Sequence, residues 1–234
     1  MNLLTTANAK IQKSKDRGYL TFGLHLAPGN LSGHEVCVKR SPGCTVACLN
    51  TNGRGAFNSV QQSRIQKTQF LFDHRDAFMS LLFHQVNLAV RKARREGYIP
   101  AFRPNLTADL AWESMRHKGE NLMEAFSDVQ FYDYTKIPMR MRRYLNGKLP
   151  SNYHLTFSQS EVNYALVQEF VQLKGNVAVV FRKALPAKYL GVPVVDGDAD
   201  DLRFLDPANV VVGLKEKGRA KADQTGFVVE PWQV

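Results

Sequence analysis

Apolar residues in this chain recur at every second position in some stretches and at helical spacing in others, and the two patterns alternate along its length. That alternation constrains the fold more than any single motif. Tyr19 to Leu26 reads as a first strand ended by Pro28-Gly29. Phe78, Leu82, Val86, Ala89 and Ala93 then mark a helix closed by Gly97. Ala101 to Leu106, Val129 to Tyr132, Tyr153 to Phe157, Asn176 to Phe181 and Val210 to Leu214 supply five further strands. Between them, helices are predicted over 112–126, 139–145 and 162–173. Strands separated by helices form parallel units, since a meander would join them by tight turns. Right-handed crossovers curl six such units into an open barrel. The expected fold is therefore α/β, a single-domain partial (β/α)6 TIM-like barrel over residues 1–234. It carries a cysteine-bearing loop after the first strand, and residues 1–17 are expected as a peripheral N-terminal extension. A doubly wound sheet is the main alternative. The connection spanning Val192 to Asp206 suits a small hairpin in place of a helix.

Charge narrows the partner. The chain has a formal net charge of +10, and it is uneven. Residues 1–150 hold 22 Lys and Arg against 11 Asp and Glu, whereas residues 151–234 hold 9 against 10. The densest runs are Arg91, Lys92, Arg94, Arg95 and Arg140, Arg142, Arg143. Such runs suit phosphate neutralisation, although a solvated helix face explains them equally well. Mean hydropathy is −0.29 and every apolar run is broken by charge, so no membrane span is expected. The first residues lack a secretory signal pattern, which with an odd cysteine count points to a reducing, cytoplasmic setting.

Ligands of parallel α/β folds sit beyond the carboxyl ends of the strands. Polar residues collect there: Asn105, Thr107 and Asp109 after the second strand, Asp133 and Lys136 at the third, Ser158 at the fourth. Helix capping is the plain alternative for each. The sharpest feature is Cys37-Val-Lys-Arg-Ser-Pro-Gly-Cys44-Thr-Val-Ala-Cys48, which holds all three cysteines of the chain within twelve residues. Bunched thiols favour a soft metal centre, zinc or iron–sulfur. Zinc would need a fourth ligand such as His34 or His25. A cluster on three cysteines leaves one iron open. Reduced thiols in a turn are the third reading. Downstream, Asn52-Gly53-Arg54-Gly55 could form an anion nest. The acidic run Asp196 to Asp206 lacks the spacing of an EF-hand loop, and its carboxylates suit a cation, a base or a salt-bridged turn. Lys215, at the end of the last strand, could hold an anionic group.

Several stretches resemble the phage and bacterial gene product 88-like family. They are Ser41 to Leu49, Asn52 to Gly55, Phe131 to Lys136, Asn152 to Ser158 and Asp196 to Pro207. The resemblance implies a phage or bacterial origin and brings no reaction with it. A more distant likeness is to radical S-adenosylmethionine enzymes, which place three cysteines after the first strand of a partial barrel. Here the spacing is C-x6-C-x3-C where theirs is C-x3-C-x2-C, and Asn105, Thr107 and Asp109 stand where they commonly carry Gly-Gly-Glu.

The expected function is that of an iron–sulfur metalloenzyme acting on a nucleotide or nucleic-acid base. Cys37, Cys44 and Cys48 would hold a [4Fe-4S] cluster, with zinc as the alternative. Asn105, Thr107, Asp109 and Ser158 would contact a cofactor such as S-adenosylmethionine. Arg54, Lys136 and Lys215 would meet an anionic substrate, and Asp133 and Asp198 would move protons. Two rival expectations are a zinc-containing base-exchange enzyme of the transglycosylase kind and a basic DNA- or RNA-binding module with a structural metal.

Overall fold

The computed structural model describes residues 1–232, and of Thr51 the backbone only. The elements are β1 (Leu4–Thr5), α1 (Ala9–Gln12), β2 (Tyr19–Leu24), α2 (Gly29–Ser32), α3 (Pro42–Val46), α4 (Asn58–Asp73) and α5 (Arg75–Arg95). There follow β3 (Ile99–Arg103), α6 (Leu122–Ala125), β4 (Gln130–Thr135), α7 (Pro138–Leu145), β5 (Tyr153–Ser158) and α8 (Tyr164–Gln172). The chain ends with β6 (Val177–Phe181), β7 (Lys188–Tyr189), β8 (Val192–Asp196), β9 (Val211–Lys215) and β10 (Val228–Val229).

The strands form one open ten-stranded sheet in the order β1-β2-β3-β4-β5-β6-β9-β8-β7, with β10 added beside β6. Strands β2, β3, β4, β5, β6, β9 and β8 are mutually parallel, while β1 and β7 pair antiparallel at the two edges. Consecutive strands are neighbours from β2 to β6, so the sheet is wound in one direction and the doubly wound alternative does not apply. The six predicted strands are present. The short β1, β7, β8 and β10 are additional, and β7 with β8 is the hairpin expected in the last connection.

One-directional winding gives the sheet two unlike faces. Leu20, Phe22, Leu24, Phe102, Phe131, Tyr153, Leu155, Phe157, Val177, Val179, Phe181 and Val211 point toward the helices. They pack on Phe78, Met79, Leu82, Val86 and Val90 of α5, Met141 of α7, and Val167 and Phe170 of α8. This is the hydrophobic core, and its alternation is what the sequence displayed. The opposite face is polar. It carries Thr21, Arg103, Tyr132, Tyr134, His154 and Thr156, which are on the other parity of the same registers.

That polar face is closed by two distant segments. Phe204 meets the rings of Tyr19 and Tyr132 at centroid distances of 5.2 and 5.4 Å. Asp201, with no exposure, accepts from Arg103 Nη1 at 2.8 Å and the Tyr132 hydroxyl at 3.3 Å, and pairs with Lys10 Nζ at 3.3 Å. Residues 1–17 are accordingly not a peripheral extension: Leu3, Ile11 and Ser14 are buried and β1 extends the sheet. The predicted helix over 112–126 is also shorter, a single turn at 112–114 followed by α6. A capping box at Asn121 and Glu124 starts α6 there and fixes its beginning. Among the described residues, no helix is long and apolar enough to cross a membrane.

Candidate functional site

The cysteine loop crosses the carboxyl ends of the strands because several short-range devices pin it there. Ser41 caps α3, its Oγ accepting from Cys44 N at 3.2 Å, and Pro42 supplies the first helical position. Glu161, just past β5, binds this turn from across the sheet. Its carboxylate accepts from the Ser41 hydroxyl and the Gly43 N–H, both at 2.7 Å. A side chain at Gly43 would meet Phe227 Cβ at 2.7 Å, so only glycine lets the loop approach so closely. Cys44 then packs on Ala47, Ala220, Phe227 and Val228. At the other end, Cys37 Sγ lies 3.9 Å from the Thr107 carbonyl beyond β3.

The three thiols are all half-buried and reduced; Cys44 and Cys48 act on Cys37 electrostatically, and Cys44 acts on Cys48. Burial pushes the Cys37 thiol up to about 12, with the charges of Asp109, Cys44 and Cys48 adding to it and Lys136 opposing. Burial likewise raises Cys48, opposed by a hydrogen bond from the Asn50 backbone and by Lys136 and Arg64. The soft donors share one loop, with cations beside them, and in type they fit a soft metal. Among the described residues, no three His, Cys, Asp or Glu side chains are arranged as a finished metal site. The imidazoles considered as a fourth ligand are both engaged. His34 stacks on Phe72 at 4.4 Å and pairs with Asp73 at 3.7 Å. His25 Nδ1 lies 3.3 Å from Thr107 Oγ1, whose own proton goes to the Leu26 carbonyl, so the ring donates.

Of the expected cofactor contacts, Thr107 and Asp109 lie by Cys37, and Asn105, Asp109 and Ser158 bond within the protein. Asn105 is buried and bridges Leu110, Trp112 Nε1 and Asp133. Asp109 accepts from Arg140 Nη1 at 2.6 Å and Lys136 N at 2.8 Å. Ser158 Oγ accepts from Lys136 Nζ at 3.0 Å. Lys136 thus joins the ends of β4 and β5 at the rim, within the field of the thiols.

Asp133 lies elsewhere than a rim acid would. It has no exposure and faces the helices, on the parity of Phe131. It accepts from Asn105 N at 2.9 Å, Asn105 Nδ2 at 2.8 Å and the Tyr153 hydroxyl at 2.7 Å. Tyr153 in turn accepts from Arg140 Nη2, whose guanidinium grips Glu113 twice, at 2.8 and 3.0 Å. Burial raises the Asp133 carboxyl to about 7, against the pull of Arg140 and Tyr153. Asp198 sits past β8 and is held by Lys217 Nζ at 2.6 Å and Lys215 N at 3.0 Å, contacts that do not join it to the thiols. Arg54 is exposed in the turn after the cysteines, and Lys215 is exposed at the end of β9.

The basic runs are partly neutralised. Arg94 pairs with Asp128, Arg142 grips Glu169 with two bonds of 2.8 Å, and Arg140 is buried. Lys39, Arg54, Arg219 and Lys221, which flank the cysteine loop, have no ion pair among the described residues. Sequence reasoning placed Glu161 in the polar run after the fourth strand without giving it a role, and it missed Arg64 and Lys67 because α4 read as loop. Their signal was a three-residue spacing that continues to Leu71 on the same buried stripe.

Fold and rim together define an open, singly wound parallel α/β protein with a thiol loop over the carboxyl ends of its strands. The family model described as Gene product 88 matches residues 2–231, and the chain belongs to that family. No curated protein and no solved structure matches the chain.

Proposed function

We propose that the chain is a metalloenzyme with a partial-barrel site, in which Cys37, Cys44 and Cys48 hold an iron–sulfur cluster and the substrate is a nucleotide or nucleic-acid base. The observation that supports this reading is the bunching of the chain's three cysteines in one loop, with Cys37 in the field of the other two and of Lys136. Three thiols suit a cluster with one open iron, whereas a four-ligand zinc would have to draw its fourth donor from His25 Nε2 or another group. When bound, the group would supply a redox-active iron with a free position at the mouth of the sheet. The chain's own part is to place that mouth in a positive field. Lys136 and Arg64 offset thiolate charge, and the unpaired Lys39, Arg54, Arg219 and Lys221 attract an anionic substrate. A co-substrate such as S-adenosylmethionine would have to find contacts beyond Asn105, Asp109 and Ser158, whose polar groups are paired.

Protein purified without oxygen and reconstituted with iron and sulfide is expected to be brown and to hold about four of each per chain. Cys44→Ala is expected to remove the colour and lower the melting temperature of the loaded protein, because ligation contributes to folding free energy. Binding of about one zinc, with no iron retained, would replace this reading with a structural metal. Three thiols that stay freely alkylated after reconstitution would overturn it.

A further inference from the structure

Long cations on helices normally carry their charge out to water along an apolar stem. Two residues of α4 do the opposite. Arg64 and Lys67 share the inward stripe with Thr68 and Leu71, and each is only 8% exposed. Neither has a carboxylate within ion-pair distance among the described residues. Arg64 Nη1 donates to the Asn50 carbonyl at 2.9 Å and to Asn50 Oδ1 at 2.7 Å, while its Nε is buried with no partner among the described residues. Lys67 Nζ makes one bond, to the Leu3 carbonyl at 3.1 Å, and has two further protons to donate. Every other strongly buried cation of the fold has its anion: Arg103 has Asp201, Arg140 has Glu113 and Asp109, and Arg203 has Asp200 and Asp206.

Buried cations without counter-charge are costly, and a fold that only needed to tether Asn50 and Leu3 could use neutral donors. Their position is also telling. Both act on His25, immediately past β2, where burial and the charges of Arg64, Arg103 and Lys67 hold the imidazole down at about 3. Arg64 also acts on Cys48. This is the carboxyl end of the sheet, where parallel α/β folds bind ligands.

We propose that Arg64 and Lys67 form the cationic end of a binding site for an oxyanion, a phosphate or carboxylate group of the substrate, beside His25. Arg64 Nε and Nη2 and the two remaining protons of Lys67 are the donors left for it among the described residues. The inference places one group of the substrate and does not require the metal, so its test uses metal-free full-length protein.

Melting is followed in chelator against inorganic phosphate, malonate and chloride at equal ionic strength. A saturable rise of about 5–10 °C at a hundredfold excess over Kd is expected with phosphate or malonate and not with chloride. A response to phosphate alone assigns a phosphate, and a response to malonate alone assigns a carboxylate. Lys67→Met is expected to abolish the rise while melting no lower than wild type without added anion, since it removes an uncompensated buried charge. The His25 imidazole resonances give a second readout that needs no variant, and they are expected to shift with the effective anion. If no anion exceeds chloride and His25 does not move, the cations serve only to tie Asn50 and Leu3, and the proposal fails.

Discussion

Asp133→Asn is expected to destabilise the protein by about 2–4 kcal/mol at pH 5, and that deficit is expected to shrink as pH rises through 7. The orientation of Asn105 is fixed, because its Oδ1 accepts from Leu110 N and Trp112 Nε1. Its Nδ2 must therefore point at position 133, and a second amide there sets donor against donor. The pH dependence follows from burial, which raises the Asp133 carboxyl to about 7 from an ordinary value of 3.8. A raised carboxyl favours the folded state fully below its unfolded pKa and loses that advantage as pH climbs through the folded one. Wild type thus leads the variant most at low pH. Urea melts of both proteins at pH 5, 6, 7 and 8 measure the gap. A constant gap would show that Asp133 does not titrate in this range. An unchanged melt with a 10²-fold or greater loss of turnover would return Asp133 to the chemistry.

Asp201→Asn is expected to cost more, about 3–5 kcal/mol, equivalent to a fall on the order of 10 °C in melting temperature. Its carboxylate is the shared anion of Arg103 and Lys10 on the polar face, and it lies in the field of Arg203. Removing the charge leaves those cations enclosed against one another. The pH response runs opposite to that of Asp133. Burial opposes ionisation of Asp201, but the charges of Arg103 and Lys10 outweigh it and hold the carboxyl below its ordinary value. A depressed carboxyl contributes stability above the unfolded pKa and loses it as pH falls through the folded one. The difference between wild type and variant is therefore expected to be flat from pH 6 to 8 and to close under acid. A difference below about 1 kcal/mol at pH 7 would mean that water reaches the polar face and screens the cations.

Much of the sheet was legible because its core alternation is strict: Leu20, Phe22, Leu24 and Tyr153, Leu155, Phe157 each show it. α5 was legible for the same reason at helical spacing. α4 was not, because Arg64, Lys67 and Thr68 occupy the buried stripe where a reader looks for apolar residues. The acidic run 196–206 left a cation site, a base and a salt-bridged turn open, since the cations that neutralise Asp201 come from Lys10 and Arg103, far away in sequence. For Asp133 the necessary clue was present. It is two residues from Phe131, and in a strand that spacing puts both on the helix-facing side. Placing polar residues at strand ends put Asp109 and Lys136 within the field of Cys37. It could not separate residues that line a rim from residues that brace it, because that depends on hydrogen-bond partners.

Arg17 donates to Asp200 across 183 residues, and Lys13 to the Asp198 carbonyl across 185. The first helical turns of the chain and its 198–206 segment therefore cover the polar face together. A ribosome makes the chain from the other direction of need: β2 through β6 emerge with their helices while half of the cover is still unwritten. Until residue 201 has left the exit tunnel, Arg103 and Lys10 have no carboxylate to meet. The nascent protein must wait with one face of its sheet wet, and residues 198–206 act as the latch that closes that face over a layered intermediate.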